Sequence, residues 1–364
     1  MQVTIVGLPG SGKTTVFNAL TGAHADTGGF SGGRAAPNLG VVKVPDERLE
    51  RLADLFHPRK TTPADVTYVD VAIPAGATRE GTINPDVLAL VRNADALLHV
   101  ARAFEAGGAD GPPDPWRDVE ALDLEFAIAD LMVIEKRLEK LRTSGRHGAP
   151  AEREANAQEE ALLARLEPEL SAGHPLRAVA LTDDDELRLR GYRFLTQKPV
   201  LVVLNIDEGQ LAAVSELETA GRERYAQPQT AVAALGGKIE AELAQLSEAD
   251  AALFMDDLGI AEPSRGRVIR LTYALLGLFS FFTAGEDECR AWTLRHGATA
   301  VDAAAAVHSD LARGFIRAEV VTYDDLIACG SMVEARKRGL LRSEGKTYAV
   351  RDGDVIEVLF NVAR

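Results

Sequence analysis

The residues best placed to do chemistry stand near the start of the chain. Gly7-Leu8-Pro9-Gly10-Ser11-Gly12-Lys13-Thr14 fills the pattern G-x-x-x-x-G-K-[ST] completely, directly after a short apolar run and directly before a helical stretch. A loop that wraps phosphate must bring its backbone close, which calls for glycines without a Cβ. Its N–H groups and the helix N-terminus behind it supply fixed positive potential. Lys13 can reach β- and γ-phosphates and is the candidate catalytic residue, while the Thr14 hydroxyl suits Mg2+. A glycine-rich turn with a chance lysine is the bland alternative, and the full match in its strand-to-helix context disfavours it.

Two further positions fit such a loop. Asp70 ends the apolar run 66–69, where a carboxylate can reach Mg2+ through water; a turn or cap is the plainer reading. Asn205-Ile206-Asp207-Glu208 ends the run 200–204, where nucleotide-binding GTPases carry Asn-Lys-x-Asp to read guanine. Here Ile206 replaces the lysine and Glu208 the aspartate. A longer carboxylate does not sit where a guanine-reading aspartate sits, so strict guanine selection is not expected. An ordinary polar turn remains the alternative.

The elements that must hold these residues can be read from periodicity. Apolar runs of strand length at 3–6, 39–44, 66–69, 96–100 and 200–204 alternate with helical stretches, the first from Lys13 to about Leu20. That predicts an α/β fold, a parallel sheet of buried strands with helices on both faces. The Pro/Gly-rich stretch 107–115 reads as a loop or boundary. Leu124, Ile128, Leu131, Ile134, Leu138 and Leu141 then form one stripe of a long amphipathic helix, broken at 145–150. Leu162, Leu163, Leu166 and Leu170 mark a second helix, so an antiparallel helical hairpin, coiled-coil-like, is inserted in the α/β domain. From about Thr283 a small α+β module follows, in which 347–360 reads as strand, Asp352-Gly353 turn, strand.

Composition sets the outer limits. The 364 residues suffice for two or three domains, and 46% hydrophobic with 26% charged residues excludes gross disorder. A formal net charge of −15 opposes wholesale wrapping of nucleic acid but permits a local basic patch. Arg336-Lys337-Arg338 with Arg342, Lys346 and Arg351 is the candidate, against a plain solvated face. No apolar run is long enough for a membrane helix, and Met1 to Gly7 lacks the marks of a secretory signal. Cys289 and Cys329 are too few for a disulfide scaffold or a cysteine-rich metal site. A cytoplasmic protein without membrane partners is the simplest expectation.

Taken together, the chain resembles the YchF subfamily (Obg-like ATPases) of P-loop GTPases over nearly its full length. The resemblance is carried by Asn18-Ala19-Leu20-Thr21, Pro37-Asn38-Leu39-Gly40-Val41-Val42, Val44-Pro45-Asp46 and Asn93-Ala94-Asp95. It continues in 97–104 and in Arg117-Asp118-Val119-Glu120. In the C-terminal third it rests on Tyr273-Ala274-Leu275-Leu276-Gly277-Leu278, Phe282-Thr283-Ala284-Gly285, Arg290-Ala291-Trp292-Thr293, Gly297-Ala298-Thr299-Ala300, 313–320, 352–356 and Phe360-Asn361-Val362. The resemblance implies a discontinuous nucleotide-binding G domain (1–117 and 180–277), a helical coiled-coil insertion (118–179) and a C-terminal α+β TGS domain (278–364). It implies binding and hydrolysis of ATP, or of GTP, with Mg2+, and association with the ribosome or ribosomal RNA. Residue by residue, it places phosphates and Mg2+ on Gly10, Ser11, Gly12, Lys13, Thr14 and Thr15, with Asp70 on the metal side. It places Asn205 and Ile206 beside the base and Phe104 near it, with Glu208, the altered last position of that turn, as a further candidate; Phe104 as a packed core aromatic is the competing reading.

Three departures bear on turnover. Arg34 stands where the family has a switch threonine, Ile73 stands where Asp-x-x-Gly has its glycine, and the stretch 107–113 has no loop histidine. Slow hydrolysis is therefore expected, with a degenerate, non-hydrolysing nucleotide-binding module acting through the TGS and helical domains as the alternative. A small-molecule kinase is weaker, because no acceptor site is visible. Oligomeric state is left open.

Overall fold

The computed structural model describes residues 1–25, 37–71, 85–105, 111–144, 149–260 and 262–361. The chain divides into two compact units, Met1–Gly40 with Thr67–Val268, and Val41–Val66 with Ile269–Arg364.

The first unit is built on a six-stranded sheet. Its strands are β1 (Gln2–Val6), β2 (Asn38–Lys43), β4 (Asp65–Asp70), β5 (Ala96–Arg102), β6 (Val200–Asn205) and β7 (Thr230–Leu235), β3 (Lys60–Thr62) belonging to the other sheet. The order is β2-β4-β1-β5-β6-β7. β1 runs parallel to β4 and β5, β5 to β6, and β6 to β7. β5 and β6 are buried at every position, the signature of a parallel sheet covered on both faces. The expectation of buried strands fails for the run 39–44. β2 is an edge strand with Leu39 and Val41 67% exposed, since only one neighbour covers it. Because the strands are parallel, β1, β4, β5 and β6 all deliver their C-terminal residues to one edge of the sheet, where α/β folds bind ligands.

The helical hairpin is formed by Pro115–Ser144 and Pro150–Ser171. Ile134, Leu138 and Leu141 pack against Leu162, Leu163, Leu166 and Leu170. A bidentate Arg137–Glu159 pair adds a polar clasp. The stripe read from the sequence is wrong at its start: Leu124 is 56% and Ile128 37% exposed. The first turns instead bury Val119, Leu122 and Phe126 in the core beside β5 and β6. One helix thus serves two cores and changes its buried face between them, which a single stripe cannot represent. Asp130, fully buried at this changeover, accepts from Arg92 Nη1 (2.9 Å), Thr196 N (2.8 Å) and Thr196 Oγ1 (2.9 Å).

The second unit has its own six-stranded sheet, adding β8 (Leu278–Thr283), β9 (Glu288–Arg295), β10 (Phe315–Thr322), β11 (Arg342–Glu344) and β12 (Asp354–Phe360) in the order β11-β10-β12-β8-β9-β3. The helix Ala300–Val307 packs Ala300, Ala303 and Ala304 onto Phe279, Phe281 and Ile356. β3 extends the sheet by pairing parallel to β9, and Glu47–Phe56 packs against β9 with Leu49 and Leu52 buried. The hairpin expected across Asp352-Gly353 does not form. The turn exists, closed by Asp354 N to Arg351 O (3.1 Å), but 348–350 pairs with 298–300 and β12 pairs antiparallel with β10. The buried Asp354 carboxylate accepts from Arg351 N and Tyr348 Oη, both at 2.9 Å, and so steers the chain away from a two-stranded hairpin.

Candidate functional site

β1 ends at Val6 and the chain turns sharply at Gly7, where a Cβ would run into the Val100 carbonyl of β5. The loop then enters the helix Lys13–Thr21 through Gly12, at φ 86°. A Cβ on Gly12 would overlap the Asn205 amide, so this glycine is required twice, for its left-handed backbone and for its neighbour. Lys13 folds back over the loop and donates from Nζ to the carbonyls of Gly7 and Leu8, both at 3.0 Å. Burial pushes its ammonium down to about 8, with the Asp70 carboxylate partly opposing. The Ser11 hydroxyl is buried and has no hydrogen-bond partner among the described residues.

Asp70 sits at the C-terminal end of β4, opposite Ile5 of β1. Thr14 Oγ1 donates to Asp70 Oδ2 (2.9 Å), and Asn38 Nδ2 approaches the same oxygen at 3.4 Å. The other oxygen, Asp70 Oδ1, is buried without a partner among the described residues. One hydroxyl and one carboxylate with an orphaned oxygen form a hard donor set. It suits a divalent cation that keeps most of its waters and shares phosphate oxygens, as Mg2+ does. No group of three or more His, Cys, Asp or Glu able to cage a metal occurs among the described residues.

On the other side of the loop, Asn205 ends β6 with its side chain fully engaged. Nδ2 donates to Ser11 O (2.9 Å), and Oδ1 accepts from Gly237 N (3.1 Å). It ties the phosphate loop to the helix Gly237–Leu243. Beyond it opens a cavity of about 550 Å3 walled by Gly12, Thr15, Phe104, Ile206, Ile239 and Phe254. Glu105, Asp207, Glu208, Lys238 and Glu242 complete it with charge. Ile206 is buried and Phe104 half-buried, while Glu208 is exposed at the start of the 3-10 turn Glu208–Ala213. Asp207 caps that turn, with its N–H donating to Gln210 Oε1 (3.0 Å).

The structure therefore gathers the sequence-predicted residues into two adjoining places. Gly10 to Thr14 lie in the loop with Asp70 hydrogen-bonded to Thr14, and Thr15, Phe104, Asn205, Ile206 and Glu208 line the cavity. Sequence reasoning missed Lys238, Glu242 and Phe254. Only Lys238 had a local signal, following β7 and the Gly236-Gly237 pair; Phe254 arrives on a separate helix, Glu248–Asp257, with no motif around it. Arg34, Ile73 and 107–110 lie outside the described residues, as does the helix break at 145–148. The basic cluster is largely neutralised in place: Arg336 pairs with Glu319, Lys337 and Arg338 with Glu334, and Arg342 with Glu344 and Asp354. Both cysteines are free, and no helix among the described residues is long and apolar enough to cross a membrane.

Known proteins match this arrangement along the whole chain. Residues 278–361 fit the YchF-GTPase_C family, described as a protein of unknown function (DUF933), and residues 2–136 fit MMR_HSR1, described as a 50S ribosome-binding GTPase. The Bacillus subtilis protein named ribosome-binding ATPase YchF is 39% identical, with 98% of each chain covered. The Mycoplasma genitalium protein of the same name is 34% identical with 100% of each covered. The solved structure of the Schizosaccharomyces pombe YchF GTPase superposes with a TM-score of 0.84 at 28% identity, covering 99% of this chain and 97% of that one. With relatives above 30% identical along the whole chain and a solved structure that superposes over 99% of it, this chain belongs to the YchF family of P-loop GTPases.

Proposed function

We propose that this chain binds ATP with Mg2+, hydrolyses it slowly, and uses the nucleotide state in association with the ribosome in the cytoplasm. The observation that carries the proposal is the phosphate loop joined to a base-sized cavity whose polar anchor, Asn205, is already tied to the loop. Phe104, Ile206 and Phe254 offer apolar walls that hold a purine by burial and stacking without choosing between bases. The guanine-reading aspartate is replaced by the exposed Glu208, which favours ATP over strict GTP use. The names of the relatives, ribosome-binding ATPase, support both halves of the reading.

Loop N–H groups and the Lys13 ammonium would stabilise charge on the phosphates. Thr14 and Asp70 would hold Mg2+, which when bound neutralises phosphate charge. Asn205 keeps the loop in register with the helix Gly237–Leu243. We assign 1–117 and 180–277 to nucleotide binding, apart from 41–66 and 269–277, which fold with the C-terminal unit, 118–179 to the helical insertion and 278–364 to the TGS domain. The test is a matched titration with Mg–ATP and Mg–GTP. A preference for ATP of about tenfold or more supports the reading, and an equal preference for GTP shows that Glu208 or a neighbour reads guanine after all.

A further inference from the structure

The second unit carries a groove of about 650 Å3 that the nucleotide site does not use. It lies along β12. That strand pairs with β10 over its whole length, but with β8 at a single position among the described residues, Val355 opposite Phe282. β8 stops at Thr283 and the chain turns away through 284–287 into β9, while β12 continues to Phe360. Among the described residues, the backbone edge of 357–360 on the β8 side is thus left without a strand neighbour. A row of unpaired N–H and C=O groups is a template for one more strand.

The side chains beside this edge alternate in character, as a strand requires. Ile356 and Val358 pack with Val307 and Leu311 on one face of the sheet. Glu357, one residue out of phase, points to the other face and is exposed. Glu286, on the turn that closes the end of the groove, is exposed as well. Neither carboxylate has an ion-pair or side-chain hydrogen-bond partner among the described residues, whereas their neighbours Asp287 and Glu288 are neutralised by Arg59 and Lys60. Phe360, 42% exposed, closes the far end.

We infer that this groove takes an extended segment of a partner protein, continuing the line of β8 beside Glu357–Phe360 and alternating apolar with basic residues. The apolar side chains would lie over Val307, Leu311 and Val358, and the basic ones beside Glu286 and Glu357. Four residues of β12 offer about 13 Å of pairing edge, enough for a short strand. The two free carboxylates select against nucleic acid here, because they repel phosphate. The inference is independent of the nucleotide reading.

The intact chain is titrated with a fluorescent six-residue peptide of alternating Lys and Val, with the Glu/Val counterpart, and with the Lys/Val peptide N-methylated at alternate backbone amides. The Lys/Val peptide is expected to bind at least about tenfold more tightly than either control. It is expected to lose about tenfold or more on the double variant Glu286→Lys with Glu357→Lys, whose melting temperature is checked against the parent chain. Equal binding of the Glu/Val peptide, or none of the Lys/Val peptide, overturns the charge complementarity. Undiminished binding after N-methylation overturns strand addition. Displacement of the peptide by an oligouridylate shows a nucleic-acid surface and overturns the assignment. Should the variant fail to fold, the three peptides still decide the question on the parent chain.

Discussion

Lys13 is the residue whose chemistry is most exposed to conditions. Burial lowers its ammonium to about 8, so in the unliganded loop it is expected to lose its proton as the pH rises through that region. Bound polyphosphate would restore the charge. Nucleotide affinity is thus expected to be flat below about pH 8 and to fall about tenfold per unit above it, with proton uptake on binding. Calorimetry in buffers of different ionisation heat reads that uptake directly; its absence at pH 9 would remove Lys13 from the phosphate contact. Asn205 gives a second residue-level expectation. Because its amide holds Ser11 and Gly237, Asn205→Ala should cost about 1–3 kcal/mol of stability by leaving buried groups unpaired. It should weaken ATP and GTP by the same factor; a selective loss of one nucleotide would mean that it reads the base. At this scale much was legible. The loop, Lys13, Thr14 and Asp70 are set by local spacing and strand ends. Asn38 and Phe254 were not assigned to the site, because each reaches it from an element whose local sequence carries no sign of the destination.

At the scale of elements, the helix Pro115–Ser144 shows both the strength and the limit of periodicity. Its existence and the hairpin partner follow from the leucine spacing, but its first turns face the sheet core and its last turns the second helix. No single stripe encodes two environments, so Leu124 and Ile128 read as core and are exposed. The changeover is fixed by Asp130, paired with Arg92 and held by Thr196. Asp130→Ala leaves Arg92 and the Thr196 amide uncompensated and should cost about 3–5 kcal/mol, the scale of breaking one partner of a buried pair. Urea unfolding measures this, and a loss within the range of surface substitutions would show that the helix is held by apolar packing alone. The turn at Asp352-Gly353 teaches a related lesson. Turn chemistry is local and legible in the sequence, whereas the strand that pairs with the segment before the turn is chosen by tertiary partners, here Ala298 and Ala300.

For the whole molecule, the division of the chain is not the division of the sequence into successive blocks. Val41–Val66 folds with Ile269–Arg364. It supplies β3 to the sheet edge and the buried Leu49 and Leu52, and the Cys289 thiol points to the Leu52 carbonyl. Arg48 donates to Asp46 and to Asp352 (3.0 Å) and lies over the Phe282 ring. None of this was visible from periodicity, since a helix and a short strand look alike whichever core they join. A fragment of 278–364 alone should therefore lack a cooperative thermal transition, and one that adds 41–66 through a linker should regain it. Cooperative melting of 278–364 by itself would show that the excursion is an accessory.

The intact loop, Lys13 and Asp70 are expected to sustain ATP turnover although Arg34 and Ile73 stand where the resemblance calls for a threonine and a glycine. Multiple-turnover phosphate release from Mg–ATP by the intact chain, beside Lys13→Ala, tests it most directly. We expect slow release of more than one phosphate per protein molecule, abolished in the variant. Tight ATP binding with no release beyond background would rule turnover out and leave a nucleotide-binding module without catalysis.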